Sequence, residues 1–299
     1  MREREWRSRT GRMGLFMSLY RARPGDGTAW ITGASSGIGR ALALELAASG
    51  YTVIATARDA ARLAAVAEEA KGLAGRIVPM PGDVTDAGAM AKVVDAAVAE
   101  FGAISLAVLN AGIYTRARGD GLVVSRFEKT FAVNLMGVVN CLVPVVEVMK
   151  ASRRGQVALM SSVAGFGGIP TSAAYGASKA ALINMAESLK FDLDKLDIRI
   201  QVINPGFVET PATEINSAAM PALMDAGEAA ARIARGLRRG GFQIAFPRRL
   251  VWPAKLVGLL PYSLYFPLLA AVTGWRRRPA DTRPRSGVHT AGNADRPTS

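Results

Sequence analysis

Thr32-Gly33-Ala34-Ser35-Ser36-Gly37-Ile38-Gly39-Arg40 leads directly into Ala41-Leu42-Ala43-Leu44-Glu45-Leu46-Ala47, and the short apolar run Thr28 to Thr32 stands before it. An extended run, a glycine-rich turn and a helix-forming stretch in that order read as the opening of a parallel βαβ unit. Glycine permits the tight turn and removes Cβ atoms that would hold an anion away from the backbone, while the first N–H groups of the following helix face that anion. Gly33, Ser35, Ser36, Gly37, Ile38 and Gly39 are therefore a candidate cradle for a pyrophosphate. A purely structural turn can also require glycine, so the assignment depends on what surrounds it.

Outward from this turn, short runs rich in Val, Ile and Leu alternate with Ala-rich stretches of helical period from Gly27 to Phe246. Strands are expected at Thr28–Thr32, Tyr51–Ala57, Arg76–Met80, Ile104–Leu109, Gln156–Ser161, Ile198–Ile203 and Phe242–Ala245. Several are apolar without alternation, as strands are when helices cover both faces of a sheet, and the crossovers should be right-handed. The expected fold class is α/β: a doubly wound, Rossmann-type parallel sheet of about seven strands with helices on both faces. No internal repeat or linker interrupts it. One catalytic domain is expected over residues 26–249, with a loose basic leader at 1–25, an apolar aromatic segment at 250–275 and a disordered basic tail at 276–299.

The net charge of +13 is concentrated at the ends. Residues 1–25 hold seven Arg and two Glu, residues 276–299 hold six Arg and two Asp, and only +4 remains for the middle of the chain. That distribution, with no nucleic-acid module in the sequence, argues against a nucleic-acid groove and for solvated tails or attraction to an anionic surface. The apolar stretch Met13 to Tyr20 is too short and interrupted to be a secretory core. Leu256 to Trp275 has no charged residue, but Pro261 and Pro267 would break a spanning helix. Its aromatics, with Trp252, suit either a membrane surface or packing over the substrate cleft or a subunit partner. The single histidine, His289, lies in the tail, so a His-based triad is excluded; no metal-ligand spacing occurs. Cys141, the one cysteine, sits in an apolar stretch and reads as a buried small hydrophobe, which leaves no intramolecular disulfide.

Within the middle region several polar residues fall at strand ends. The second strand ends in Ala55-Thr56-Ala57-Arg58, where a site for NAD would place an acid against the ribose hydroxyl. A neutral Ala57 and a cationic Arg58 favour a 2′-phosphate instead. Asp83-Val84 follows the third strand and Asn110-Ala111-Gly112 the fourth, both on the ligand-binding edge of such sheets, although Asp83 could simply cap a helix and Asn110 make a turn. In Tyr175-Gly176-Ala177-Ser178-Lys179 the phenol and the ammonium share one helix face. A phenol titrates near 10, and a neighbouring cation is expected to lower that value towards the range useful for proton transfer. Ser161 and Ser162 end the fifth strand, from which a hydroxyl could polarise a carbonyl. Asn134 is a polar residue inside a long apolar helix and must find partners; it could bridge helices or hold a water that relays protons from Lys179.

Taken together, residues 27 to about 246 resemble a short-chain dehydrogenase/reductase of the standard, non-extended type. Thr32-Gly33, Gly37 and Gly39 look like its glycine signature and Asn110-Ala111-Gly112 like its strand-four motif. The resemblance implies a tetrad of Asn134, Ser162, Tyr175 and Lys179. Ser162 is taken over Ser161 because the family's serine stands thirteen residues before the tyrosine. Tyr175 would be the general acid/base, Lys179 would bind the nicotinamide ribose and tune Tyr175, Ser162 would orient the carbonyl, and Asn134 would complete the relay. Asn204-Pro205-Gly206-Phe207-Val208-Glu209-Thr210 is similar to the segment that contacts nicotinamide, through Pro205, Gly206, the Val208 backbone and the Thr210 hydroxyl.

The expected activity is an oxidoreductase, with NADP preferred and NAD usable, that moves hydride between nicotinamide and a small-molecule carbonyl or alcohol. The Ala, Met and Pro content of residues 207–224 suggests an apolar lid and a hydrophobic substrate. A cytoplasmic homo-oligomer is expected, associated with a membrane if residues 250–275 dock. The alternatives are a catalytically silent NADP-binding redox sensor and a membrane-surface scaffold.

Overall fold

The computed structural model describes residues 19–210 and 222–279. Seven parallel strands form one sheet in the order β3-β2-β1-β4-β5-β6-β7: β1 Thr28–Thr32, β2 Thr52–Thr56, β3 Arg76–Pro79, β4 Ile104–Leu109, β5 Gly155–Met160, β6 Ile198–Pro205 and β7 Gln243–Phe246. The order reverses between β1 and β4, which opens a crevice at the carboxyl ends of those strands.

Helices lie on both faces because the strands are apolar on both. Ala29, Ile31, Leu106, Val108, Ala158 and Ile203 join one core with helices α1 (Gly37–Ala48), α2 (Ala60–Glu69) and α7 (Ala226–Arg239). Trp30, Ile54, Leu109, Val157, Leu159 and Val202 join the other, against α3 (Ala87–Phe101), α5 (Gly137–Ala151) and α6 (Ala173–Leu193). The period-2 alternation sends neighbouring residues to opposite cores. The buried Trp30 indole N–H donates to Thr56 Oγ1 at 2.9 Å, so the largest core side chain leaves no polar atom unpaired.

Helix α4 (Val124–Phe131) runs through a π-helical turn, Ala132–Met136, into α5. The continuous stretch Val124–Ala151 is long and apolar enough to cross a bilayer by length and composition. Its Val138, Cys141, Val145 and Met149 are nevertheless buried in the second core. The chain closes with α8 (Arg248–Gly258) and α9 (Tyr262–Val272), two short helices separated at Pro261.

The boundary of the leader shifts. Residues 19–26 belong to the body: Arg199 donates to the carbonyls of Leu19 and Tyr20, the Ala22 N–H donates to Gln156 Oε1, and the Tyr20 hydroxyl donates to Asp26. Buried Arg199 and Gln156 needed partners, and this strip of backbone supplies them. Residues 1–18, the tail beyond residue 279 and positions 211–221 of the expected lid lie outside the described residues. The lid's ends are joined by a parallel bridge from Val208 to Met224.

Candidate active site

The glycine turn leaves β1 with Gly33 at φ +68° and Gly37 at φ +52°, left-handed conformations that favour glycine. Gly39 is demanded by proximity, since a Cβ there would lie 2.2 Å from the Gly33 carbonyl oxygen. Helices α2, α3 and α7 begin under aspartates, Asp59, Asp86 and Asp225, whose carboxylates accept N–H groups of the first turn. Helix α1 begins at Ser36 with no side-chain cap and no acid in its first turn. Its N-terminal amides and positive dipole end stand at the switch point, where an anionic group is favoured.

Several neighbours brace this edge. Asn110 Nδ2 donates to the carbonyls of Thr32 at 3.0 Å and Gly33 at 3.3 Å, and the Asn110 and Ala111 amides donate to Thr32 Oγ1. The Asn110 side chain therefore ties the end of β4 to the glycine turn after β1 rather than closing a local turn. Asp83 accepts the Thr85 N–H and hydroxyl, which hold its carboxyl below the ordinary value, while Asp86 caps α3. Val84 is buried and its carbonyl accepts from Asn140. Arg58 lies at 4.0 Å from Asp83 with its side chain 76% exposed, so the guanidinium can reach a ligand at the end of β2.

Tyr175 and Lys179 come from α6, Ser162 from the end of β5 and Asn134 from the π-helical turn. Ser161 donates to the Lys179 carbonyl at 2.7 Å, which ties α6 to β5 and uses that hydroxyl structurally. Ser162 Oγ accepts the Ala164 N–H at 3.1 Å, and the Ser162 side chain acts on the Tyr175 phenol, favouring its ionised form. Lys179 is buried, donates from Nζ to the Met160 carbonyl at 2.7 Å and lies 5.6 Å from the Tyr175 ring centroid. Asn134 is fully buried: Oδ1 accepts the Ile113 N–H at 2.7 Å, and Nδ2 donates to the Ile113 carbonyl and to Ser178 Oγ. It thereby clamps the loop after β4 against α6. Gly112 lies between, where a Cβ would come within 3.4 Å of both Asn134 Oδ1 and Lys179 Nζ.

The electrostatics differ from the sequence expectation. Burial raises the Tyr175 phenol above its ordinary value; the Ser162 side chain opposes the rise, and Tyr114 adds to it. Burial also pushes Lys179 down to about 8. Desolvation, absent from a reading of spacing alone, is the largest influence on the phenol, and the expected lowering by Lys179 is not among its causes. Cys141 is buried with its thiol pushed up to about 12, which makes it inert at neutral pH.

Other residues of this edge had weak sequence signals or none. Tyr114 packs edge-on against Tyr175 with centroids 5.1 Å apart; its place four residues after Asn110 on the strand-four edge was the available clue. Thr171 adopts φ +68°, uncommon for a β-branched residue, beside the site, and its carbonyl accepts the Ala117 N–H. The π-helical turn that carries Asn134 leaves no mark in composition. Asn204, at the end of β6, is completely buried with neither amide atom partnered. An unpaired donor and acceptor at the end of β6, uncapped helix amides at the switch point and an exposed guanidinium at the end of β2 together fit a dinucleotide.

Known proteins agree with this geometry. The family model described as short chain dehydrogenase matches residues 27–220. An uncharacterized oxidoreductase of Myxococcus xanthus is 37% identical over 238 residues, covering 80% of this chain and 94% of that protein. A 3-oxoacyl-acyl-carrier-protein reductase of Thermotoga maritima is 39% identical over 184 residues, covering 62% and 75% respectively. Among solved structures, a short-chain type dehydrogenase/reductase from Mycobacterium marinum superposes with a TM-score of 0.69 at 25% identity, over 75% of this chain and 95% of that one. A 3-ketoacyl-ACP reductase from Sinorhizobium meliloti gives a TM-score of 0.65 at 30% identity, over 73% and 96%. With a seven-stranded doubly wound sheet, a glycine turn at its switch point and these relatives, the chain belongs to the short-chain dehydrogenase/reductase family of NAD(P)-dependent oxidoreductases.

Proposed function

We propose that the chain is an NADP-preferring carbonyl reductase in which Asn134, Ser162, Tyr175 and Lys179 act on an apolar ketone or aldehyde. The observation that carries this reading is the buried Lys179 ammonium, held by the Met160 carbonyl 5.6 Å from the Tyr175 ring centroid, with Ser162 just beyond β5 at the same carboxyl edge next to the switch point. Gly33, Ser35, Ser36, Gly37, Ile38 and Gly39 would hold the pyrophosphate, Arg58 the 2′-phosphate, and Pro205, Gly206, Val208 and Thr210 the nicotinamide. Asp83, Val84, Asn110, Ala111 and Gly112 would shape the adenine and ribose walls, and Lys179 would take a ribose hydroxyl. When bound, the dinucleotide supplies the hydride.

The protein's part is proton transfer and positioning. The Ser162 oxygen, already accepting the Ala164 amide, turns its proton towards the substrate oxygen and polarises the carbonyl. Tyr175 gives its phenolic proton to that oxygen as the carbonyl carbon becomes the alcohol carbon. A phenol raised by burial is fully protonated at neutral pH, so the resting site is primed as an acid, which suits reduction better than oxidation. Asn134 holds the Ile113 loop so that Gly112 stays against Lys179.

Two relatives named for acyl-carrier-protein-linked ketone reduction support the direction and an apolar substrate. A homo-oligomeric cytoplasmic enzyme is part of the same reading. Initial rates with NADPH and NADH over a series of straight-chain ketones test it: efficiency should be higher with NADPH and rise with chain length. Equal efficiency with NADH removes the NADP assignment, and turnover confined to small polar sugars removes the substrate class.

A further inference from the structure

Of the large apolar side chains exposed among the described residues, more than half fall between Trp252 and Val272. Single exposed leucines are ordinary on a soluble surface; a cluster on two consecutive helices is not. Leu259, Tyr262 and Val272 are 82%, 76% and 77% exposed. Helix α9 meets the body through Tyr265, which is buried and whose hydroxyl donates to the Gly168 carbonyl at 2.8 Å. The rest of α9 is apolar around most of its circumference yet faces solvent, an arrangement unsuited to water.

Charge decides what covers it. Between Glu228 and Asp281 the sequence holds ten Lys and Arg and no acid. Arg248, Arg249 and Lys255 lie on α8, and Arg276, Arg277 and Arg278 follow α9, so cations flank the apolar helix at both ends. Next to the first turn of α8, an open cavity of about 390 Å³ is lined by Arg235, Arg239 and Arg248 and by Arg232, which Glu228 pairs; the excess of guanidinium over carboxylate suits an anionic headgroup. A second copy of this chain would bring the same excess of positive charge to the contact, whereas an anionic bilayer neutralises it. Spanning is excluded by length: α9 has 11 residues, roughly 17 Å at 1.5 Å each, against a hydrocarbon core of about 30 Å.

We propose that α8 and α9 dock the protein on an anionic lipid surface, with the exposed side chains of α9 lying in the interface and the flanking arginines among the headgroups. The tether from Tyr265 to Gly168 sets this surface beside the loop that leads into α6, so an apolar substrate dissolved in the bilayer would be presented at the Tyr175 cleft. Docking does not depend on the redox reading, and its test is decided by vesicle binding.

Sedimentation of the full-length protein with vesicles of phosphatidylcholine, alone or mixed with phosphatidylglycerol, is the experiment. Binding is expected to the mixed vesicles, weakening with salt. Changing Arg276, Arg277 and Arg278 to Ser should weaken it about a hundredfold, at roughly fivefold per charge. The triple change Leu259→Glu, Tyr262→Glu and Val272→Glu should abolish it while leaving the melting temperature and turnover of a water-soluble ketone unchanged. No sedimentation of the wild type with mixed vesicles overturns the proposal. So does equal binding by the triple-Glu protein, which would place the affinity in the basic leader. A wild-type oligomer in size-exclusion chromatography that the same glutamates split, without vesicle binding, overturns it in favour of a subunit interface.

Discussion

At the carboxyl edge of the sheet, Asn134, Ser161, Ser178 and Lys179 are buried polar side chains, and each has its hydrogen-bond partner. Beyond β7 the arrangement inverts, and Leu259, Tyr262 and Phe266 stand apolar in solvent. Stranding one buried polar atom costs about 1–3 kcal/mol, so the first region tolerates little change. No comparable cost holds the side chains of the second, because few touch the body. Packing and hydrogen bonding constrain the edge closely, and the C-terminal pair far less.

The strongest way to break this contrast is Tyr175→Phe. Turnover should fall about a thousandfold, the range of a lost general acid, with dinucleotide affinity kept. Activity above about a tenth of wild type would take the acid/base role away from Tyr175. Next, Arg58→Ala should raise the KM for NADPH about tenfold or more, as loss of a charged hydrogen bond of about 1.5–3 kcal/mol implies, and leave NADH unaffected. Gly39→Ala should destabilise the fold by about 1–3 kcal/mol, because its Cβ meets the Gly33 carbonyl. Leu259→Ala in the same melting experiment should stay within about 0.5 kcal/mol. Equal losses for the two would erase the distinction between the regions.

Smaller effects sharpen it. Lys179 is charged below its lowered value of about 8, so if the ammonium is needed, carbonyl reduction should be level up to that pH and decline as pH rises through it. The Tyr175 phenol is raised, which puts its own loss of the proton at still higher pH. A rate that stays level to pH 10 would show that the ammonium is dispensable. Smallest, Tyr265→Phe removes one hydrogen bond to Gly168, worth about 1 kcal/mol, and should speed tryptic cleavage at Lys255 and Arg276 with little change in turnover of a soluble ketone. Unchanged cleavage would mean that the tether does not hold α9.

How much could be read beforehand varies with what the residue answers to. The seven strands fell within one or two residues of their places because apolar runs between glycine-rich turns answer to burial, which composition records. Gly33, Gly37 and Gly39 were legible because only glycine satisfies those angles and contacts. Ser162 was taken over Ser161 by family spacing alone; that the Ser161 hydroxyl donates to the Lys179 carbonyl is a tertiary contact that no local pattern records. The sign of the Tyr175 shift was misjudged: spacing places a cation on the same helix face but says nothing of how much water the fold removes. Tyr114 and the π-helical turn at Asn134 depend on tertiary packing and had little local signature. The leader's last residues were read as loose because the partners that fix them, Gln156 and Arg199, are far away in sequence.

Lys179 is gripped at both ends by the same strand, its carbonyl by Ser161 and its ammonium by the Met160 carbonyl. Because Ser161 also takes the Ile203 carbonyl through its own amide, the grip extends to β6. Loosening Lys179 then requires breaking contacts with the central strands. Loss of activity on warming should coincide with cooperative melting of the whole sheet, with no earlier stage at which a folded but idle enzyme accumulates.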